Sequence, residues 1–477
     1  MKVNLLKGSI SYGIVTILTR IASIILIPII TKLLSLAEYG LYGIAILTIT
    51  LVTLVVTLEV SQAVTYFFTD IKIKDRNVYP STGMWFTILM YLIIVIIAFI
   101  FEPILSNLFK FNSNDSSIIF YSSLLLAGNG IFFFIQNLFR LEFKTKAYSF
   151  FTLGYVFFMA GGSICGILFF QKLAQNVILG QFIGIAIVDF LGIIVYWKLL
   201  ILGFDFVKLR KMLKFSLPLV FSGVLLLGGQ QLPRYILSVY GSLEDVGMFV
   251  LSYQIAGFAA LSVLGVQTSI TPAVLVNHEH KETKKKLGTL FENFVIVSLI
   301  FCAGLSVFSK EIVTVFSNVN YLNAAAFVPV LSFSIIFNSL YIFFQGKIIK
   351  GKSARQLLPS IGSFFVALIT GFVLTKYDGI RGATLATLLS SIAFFTIWVR
   401  TSQKLYPIPV NWKKLAKYLC YTIATCCVGV FIFTEKLELH IILIKLILIM
   451  GLICLIGWQY VLMVRYKYLQ KKYKTEK

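Results

Sequence analysis

Charge is scarce in this chain, and negative charge scarcest. Only 13% of the 477 residues are Asp, Glu, Lys or Arg, and 19 acids stand against 42 bases. A soluble globule of this length ordinarily has about a quarter of its residues charged. Here 58% are hydrophobic and mean hydropathy is +0.92, the composition of a polytopic helical membrane protein. The shortage of acids also argues against an enzyme. A membrane glycosyltransferase or polymerase needs an acid, base or metal site facing the sugar. The outer loops offer only Glu244-Asp245 and Glu435/Glu438, and the turn position of the first pair suits helix capping. Cysteine and histidine are rare as well, six and three residues. Cys165, Cys302, Cys420, Cys426, Cys427 and Cys454 lie in or beside apolar runs with no metal or disulfide spacing, and read as small core hydrophobes. His278 and His280 flank Glu279 in what reads as a solvated loop. No cofactor is expected.

What is present is long apolar runs. A helix needs about 20 apolar residues to cross a bilayer, and about fourteen such runs are predicted. They lie near 9–31, 40–67, 81–101, 118–138, 148–170, 177–199, 215–240, 246–274, 289–309, 324–346, 356–375, 379–399, 415–434 and 440–463. The first follows lysines as a signal peptide does. It is too long, however, lacks a small-residue cleavage site and recurs later, so it is read as a retained span. The net charge of +23 sits in clusters at alternate ends of these runs. Lys32, Lys110, Lys172, Lys310, Lys376, Arg381, Lys436 and Lys445 fall at one end, Arg20 and Arg234 within runs, and all other bases at the opposite end. That asymmetry places both termini in the cytoplasm. Stacking aromatics are not interleaved with the bases, so nucleic acid is not an expected partner. Membrane lipid is.

The chain repeats itself. Lys7, Ser9, Ser35, Leu36 and Gly40 recur as Lys214, Ser216, Ser242, Leu243 and Gly247, all at an offset of 207. Lys144-Thr145-Lys146 recurs, within a residue of that offset, as Lys350-Gly351-Lys352. One six-span unit is therefore duplicated. The expected organisation is an N-lobe (1–202), a basic interfacial linker (203–214) and a C-lobe (215–400). Two further spans and a basic tail (401–477) follow. An even number of spans per copy predicts a pseudo-two-fold axis along the membrane normal and a cavity between lobes.

Polar residues inside the runs are the functional candidates, because intramembrane charge is costly. Span one carries Thr16, Arg20 and Ser23 on one helical face. Arg20 reads either as a cavity-facing substrate contact or as half of a structural ion pair with Asp189 or Glu59. Span seven carries Gln230, Arg234 and Ser238 at i, i+4, i+8, with a kink expected at Pro233. Arg234 reads as a substrate contact or as a side chain snorkelling to the outer interface. Asp189 and Glu59 are either counter-ions or coupling sites for Na⁺ or a proton.

Leu36-Ala37-Glu38-Tyr39-Gly40-Leu41-Tyr42 resembles the first outer turn of bacterial polysaccharide repeat-unit flippases, the Wzx-type transporters of O-antigen and capsule synthesis. They are relatives of multidrug antiporters and of the peptidoglycan-precursor flippase. Leu213 to Pro218, Arg234 to Leu237, Gly247 to Phe249, Phe316 to Pro329 and Gly379 to Thr387 resemble the same family. Two positions depart from it: Pro233 stands where an aspartate often precedes the arginine, and Glu59 where a glycine is usual. The resemblance implies alternating access in the bacterial cytoplasmic membrane. The cargo it implies is an undecaprenyl-diphosphate-linked oligosaccharide, with polysaccharide polymerase and glycosyltransferases as neighbours. A multidrug or cation antiporter and a peptidoglycan-precursor flippase are the alternatives. A diphosphate suits arginine, whose fork binds phosphate oxygens bidentately.

Overall fold

The computed structural model describes residues 24–69, 77–108, 117–201, 203–263, 281–349, 357–431 and 440–455, with single positions at 15, 18, 19, 270 and 274. Every regular element among them is helical. The chain divides into two compact units, Met1–Val250 and Leu251–Lys477.

Unit 1 contains α1 (Ile24–Leu33), α2 (Leu36–Val56), α3 (Val60–Thr69), α4 (Val78–Leu108) and α5 (Ile118–Leu141). It continues with α6 (Thr145–Phe169), α7 (Ala174–Ile201), α8 (Phe206–Tyr240) and the first part of α9 (Leu243–Ala256). Glycine lets α6 and α7 touch backbone to backbone. A Cβ on Gly162 would strike the Gly180 carbonyl, and one on Gly184 would strike the Phe158 carbonyl. Without a hydrophobic drive between helices in lipid, such close approach is what holds a pair together.

Unit 2 contains the end of α9, α10 (Lys281–Val307), α11 (Ser309–Phe316), a 3₁₀ stretch Val319–Ala326 and α12 (Val328–Leu340). A second 3₁₀ turn (Tyr341–Phe343), α13 (Gly346–Ile349), α14 (Leu357–Gln403), α15 (Trp412–Phe431) and α16 (His440–Leu455) complete it. At about 1.5 Å per residue, α14 would be more than twice the thickness of a bilayer core. It is in fact two helices, broken at Asp378 and at Gly379, whose φ of 50° is left-handed. That break falls between the runs expected at 356–375 and 379–399.

Among the described residues nine helices are long and apolar enough to cross a membrane. A tenth candidate is the pair Val319–Ala326 and Val328–Phe343, bent by 55°. The sequence reading differs from the structure in two places. The run 40–67 is not one helix: α2 and α3 are separated at Thr57–Glu59, where Leu58 and Glu59 have φ of 46° and 54°. The stretch 203–214 is the beginning of α8 and not a separate element. The Asp205 carboxylate caps it, accepting from the N–H of Val207 (2.9 Å) and of Lys208 (3.1 Å). The helix then runs through Pro218 and Pro233 to Tyr240.

Candidate functional site

The duplicated turns meet each other in unit 1. In the first copy the Ser35 hydroxyl accepts from the Glu38 N–H (3.2 Å), and the Glu38 carboxylate accepts from the Ala174 N–H at 2.6 Å, capping α7. In the second copy Ser242 and Asp245 form a capping box. The Asp245 N–H donates to Ser242 Oγ (3.1 Å) and the Ser242 N–H donates to Asp245 Oδ2 (3.1 Å). These turns start α2 and α9, which cross with no room for side chains at three places. A Cβ on Gly40 would strike the Leu243 carbonyl and the Gly247 N–H. One on Gly247 would strike the Leu36 carbonyl, and one on Gly43 would meet Val250. At the offset of 207, Leu36, Gly40 and Gly43 correspond to Leu243, Gly247 and Val250. Each copy thus presents the same patch to the other, the isologous pattern of a two-fold axis.

Arg234 stands beside this crossing. It is only 8% exposed, and its guanidinium packs against Gly43 of α2. The side chain is therefore buried and not extended past the end of its helix. Its neighbour Tyr235 donates to Thr48 Oγ1 of α2 at 3.1 Å. Gln230 is half-buried on the same helix. Ser238 donates to its own helix at the Tyr235 carbonyl (2.7 Å). Thr16, Arg20 and Ser23 lie outside the described residues.

The two acids differ. Asp189 on α7 is 5% exposed, and its Oδ1 has no hydrogen-bond partner. The nearest room beside the other carboxylate oxygen is at Gly128 of α5, where a Cβ would lie 3.6 Å away. Polar groups share this part of unit 1. Gln181 Nε2 donates to the Tyr42 hydroxyl (2.9 Å), and Tyr155 donates to Asn129 Oδ1 (2.7 Å). Gln181 Oε1 is a second buried acceptor with no donor. Glu59 is half-buried at the break between α2 and α3. Neither acid forms an ion pair among the described residues.

Two buried cations escaped the sequence reading, which put them among ordinary basic residues at the ends of runs. Lys445 of α16 is 2% exposed and pairs with Glu311 of α11 at 2.5 Å. Lys347 of α13 is fully buried, with its ammonium 3.9 Å from the ring centre of Trp398. Each stands near the end of an apolar segment, where a lysine ordinarily snorkels to the interface. Among the described residues no group of His, Cys, Asp and Glu side chains could hold a metal ion.

A profile of the family described as "Polysaccharide biosynthesis protein" matches residues 5–272, more than half the chain. The chain belongs to that family. Among solved structures, the chain is similar to the lipid II flippase MurJ in an inward closed conformation. The TM-score is 0.72 at 15% identity, covering 95% of this chain and 100% of that one. It is also similar to an inward-facing multidrug resistance MATE transporter of the MOP superfamily, with TM-score 0.66 at 12% identity over 85% and 99%. A third likeness is to a MOP superfamily transporter from Pyrococcus furiosus, with TM-score 0.56 at 15% identity over 83% and 93%. No curated sequence matches. The helical, multi-pass fold of this chain is the one these flippase and transporter structures share.

Proposed function

We propose that this member of the family is an alternating-access flippase for undecaprenyl-diphosphate-linked oligosaccharide repeat units. In this reading it crosses the bacterial cytoplasmic membrane about fourteen times, with both termini inside. The observation that carries it is Arg234, a buried arginine seated beside the crossing of the duplicated turns. A diphosphate needs cations in a low-dielectric setting, and a cation next to a two-fold helix crossing is placed to lose or gain its ligand as the crossing parts. Arg20, on the equivalent span of the other copy, supplies the second cation. By the offset Arg234 corresponds to Ile27, so the two cations stand at different depths and hold the diphosphate in succession. Release to the outer leaflet requires the contacts of Gly40 and Gly247 to open.

Coupling to Na⁺ or a proton is assigned to Asp189 first. Its Oδ1 is buried with no hydrogen-bond partner, and among the described residues it forms no ion pair. Asp189→Asn should abolish the dependence of flux on one of the two gradients while leaving downhill flux intact. Unchanged gradient dependence would make this acid structural. Glu59 is the second candidate, tested by the same measurement on Glu59→Gln.

Complementation of a flippase-deficient strain, with protein levels followed by blot, tests the main reading. Arg20→Glu should abolish polysaccharide export, Arg20→Lys should retain part of it, and Arg234→Ala should lower it about ten- to hundredfold, the loss of one charge-assisted contact. Normal export from a stable Arg20→Glu protein would sink the cavity assignment. The fold likeness to a lipid II flippase favours one second reading, a peptidoglycan-precursor carrier. Vesicle assays offering lipid II and an undecaprenyl-diphosphate oligosaccharide side by side separate the two. A multidrug antiporter is less suited, because cationic drugs call for an acidic cavity and the candidate cavity residues here include two arginines.

A further inference from the structure

We propose that Lys347 is a phosphate contact at one end of unit 2, parked on Trp398 when empty and recruited when a phosphate group arrives. A buried ammonium ordinarily has a carboxylate or several carbonyl oxygens around it, because the desolvated charge is otherwise costly. Lys445 obeys this rule through Glu311. Lys347 does not: its Nζ is buried with no hydrogen-bond partner, and among the described residues its compensation is the face of Trp398 at 3.9 Å. A ring face attracts a cation but accepts none of its three N–H bonds in the way an oxygen does.

The ring is a built surface and not a chance neighbour. Trp398 Nε1 donates to the Phe344 carbonyl at 2.9 Å, and Tyr341 packs edge-on against it at 4.6 Å. The Gly346 N–H donates to Ser402 Oγ at 2.8 Å. These two hydrogen bonds hang the non-helical residues Phe344 and Gln345 from α14, and Lys347 follows directly in the four-residue α13. Lys347 lies just past the apolar segment that ends at Phe343. It sits at the segment end where the sequence gathers most of its basic residues, and burial lowers its pKa to about 8. A four-carbon stem at such a place swings readily to the interface. An ammonium with three free donors fits the oxygens of a phosphate as a point charge. Phosphate is also the anion a membrane interface presents most densely. The ligand is therefore a phosphate monoester headgroup or a soluble phosphoanhydride, which share that chemistry. Nothing here depends on what the protein transports.

Trp398 makes the site readable. The chain has five tryptophans, and the difference in emission between wild type and Trp398→Phe isolates this one. Protein in phosphatidylcholine nanodiscs is titrated with inorganic pyrophosphate, and in a second series the discs carry increasing phosphatidic acid. The expected result is a saturable change in Trp398 emission with at least one probe. Phosphatidic acid alone marks a headgroup as the source, and pyrophosphate marks a soluble one. Lys347→Met, which keeps the stem and removes the amine, should shift the midpoint at least about tenfold, while Lys347→Arg should stay within a few-fold of wild type. Thermal melts check that each variant is folded, and Lys347→Gln replaces Lys347→Met if that protein does not fold. No Trp398 response to either probe in folded wild type overturns the proposal. So does an unshifted midpoint in the folded variant without the amine. The flipping assays report on transport separately, so either idea can fail without the other.

Discussion

The two units bury charge in different ways. In unit 1, Arg234 and Asp189 each lie where a glycine on a neighbouring helix leaves room, Gly43 for the arginine and Gly128 for the acid. In unit 2, Lys445 is closed off by a carboxylate and Lys347 by an indole. A charge packed against a glycine without a counter-charge is held at a cost in stability, whereas one matched to a counter-charge is spent on holding helices together. The cargo and coupling groups of the proposed flippase are placed in unit 1, and Lys445 acts as a pin for α16. Lys347 falls between, compensated on one side only.

The contrast breaks most visibly at the pin. Glu311→Gln leaves Lys445 buried without a counter-charge, and losing one partner of such a pair costs about 3–5 kcal/mol. A thermal melt of the purified protein should drop accordingly, while the double change Glu311→Leu with Lys445→Met should restore most of it. If the single change melts like wild type, Lys445 reaches water and the pin does not exist.

A smaller effect is expected at the helix crossing. Gly40→Ala puts a methyl into the Leu243 carbonyl and the Gly247 N–H, and overpacking of this kind costs about 1–3 kcal/mol. Stability should fall by that amount, and export should fall further because the crossing no longer closes. Gly154 has open space at its Cβ position, so Gly154→Ala serves as the silent control. Equal melting of the two variants would mean that α2 and α9 do not approach this closely.

Much of this was legible in the sequence because a bilayer imposes simple rules. The apolar runs announce helices, and Arg234 and Asp189 stood out because each is a charge inside such a run. The repeat was visible too, but not its meaning: nothing in one dimension says that Gly40 and Gly247 touch each other. Lys347 and Lys445 were hidden by position, since a lysine near the end of a run is ordinarily a snorkelling one. Also illegible was the interruption of span two. Thr57, Leu58 and Glu59 include neither glycine nor proline, so no local signal marks a break there. The family resemblance held the only hint, a glycine where Glu59 stands.

That hint gives the subtlest test. Glu59 is the exception in unit 1, an acid that occupies a glycine-like backbone site and does not lie beside a glycine. Its φ of 54° is left-handed, which costs a residue with a Cβ about 1–2 kcal/mol. Glycine pays no such penalty, though it gives back about 0.5–1 kcal/mol through the entropy of the unfolded chain. Glu59→Gly should therefore be more stable than Glu59→Ala by up to about 1.5 kcal/mol, a difference of a few degrees at most. Both lack the carboxylate, so the comparison isolates the backbone. Leu58, with φ of 46°, should behave alike, Leu58→Gly melting above Leu58→Ala. Should alanine match or exceed glycine at both positions, α2 and α3 would be one continuous span, and Glu59 would sit on a helix face like Asp189. A glycine advantage at Glu59 together with lost gradient dependence in Glu59→Gln would instead mean that the strain is retained to hold a carboxylate at the break.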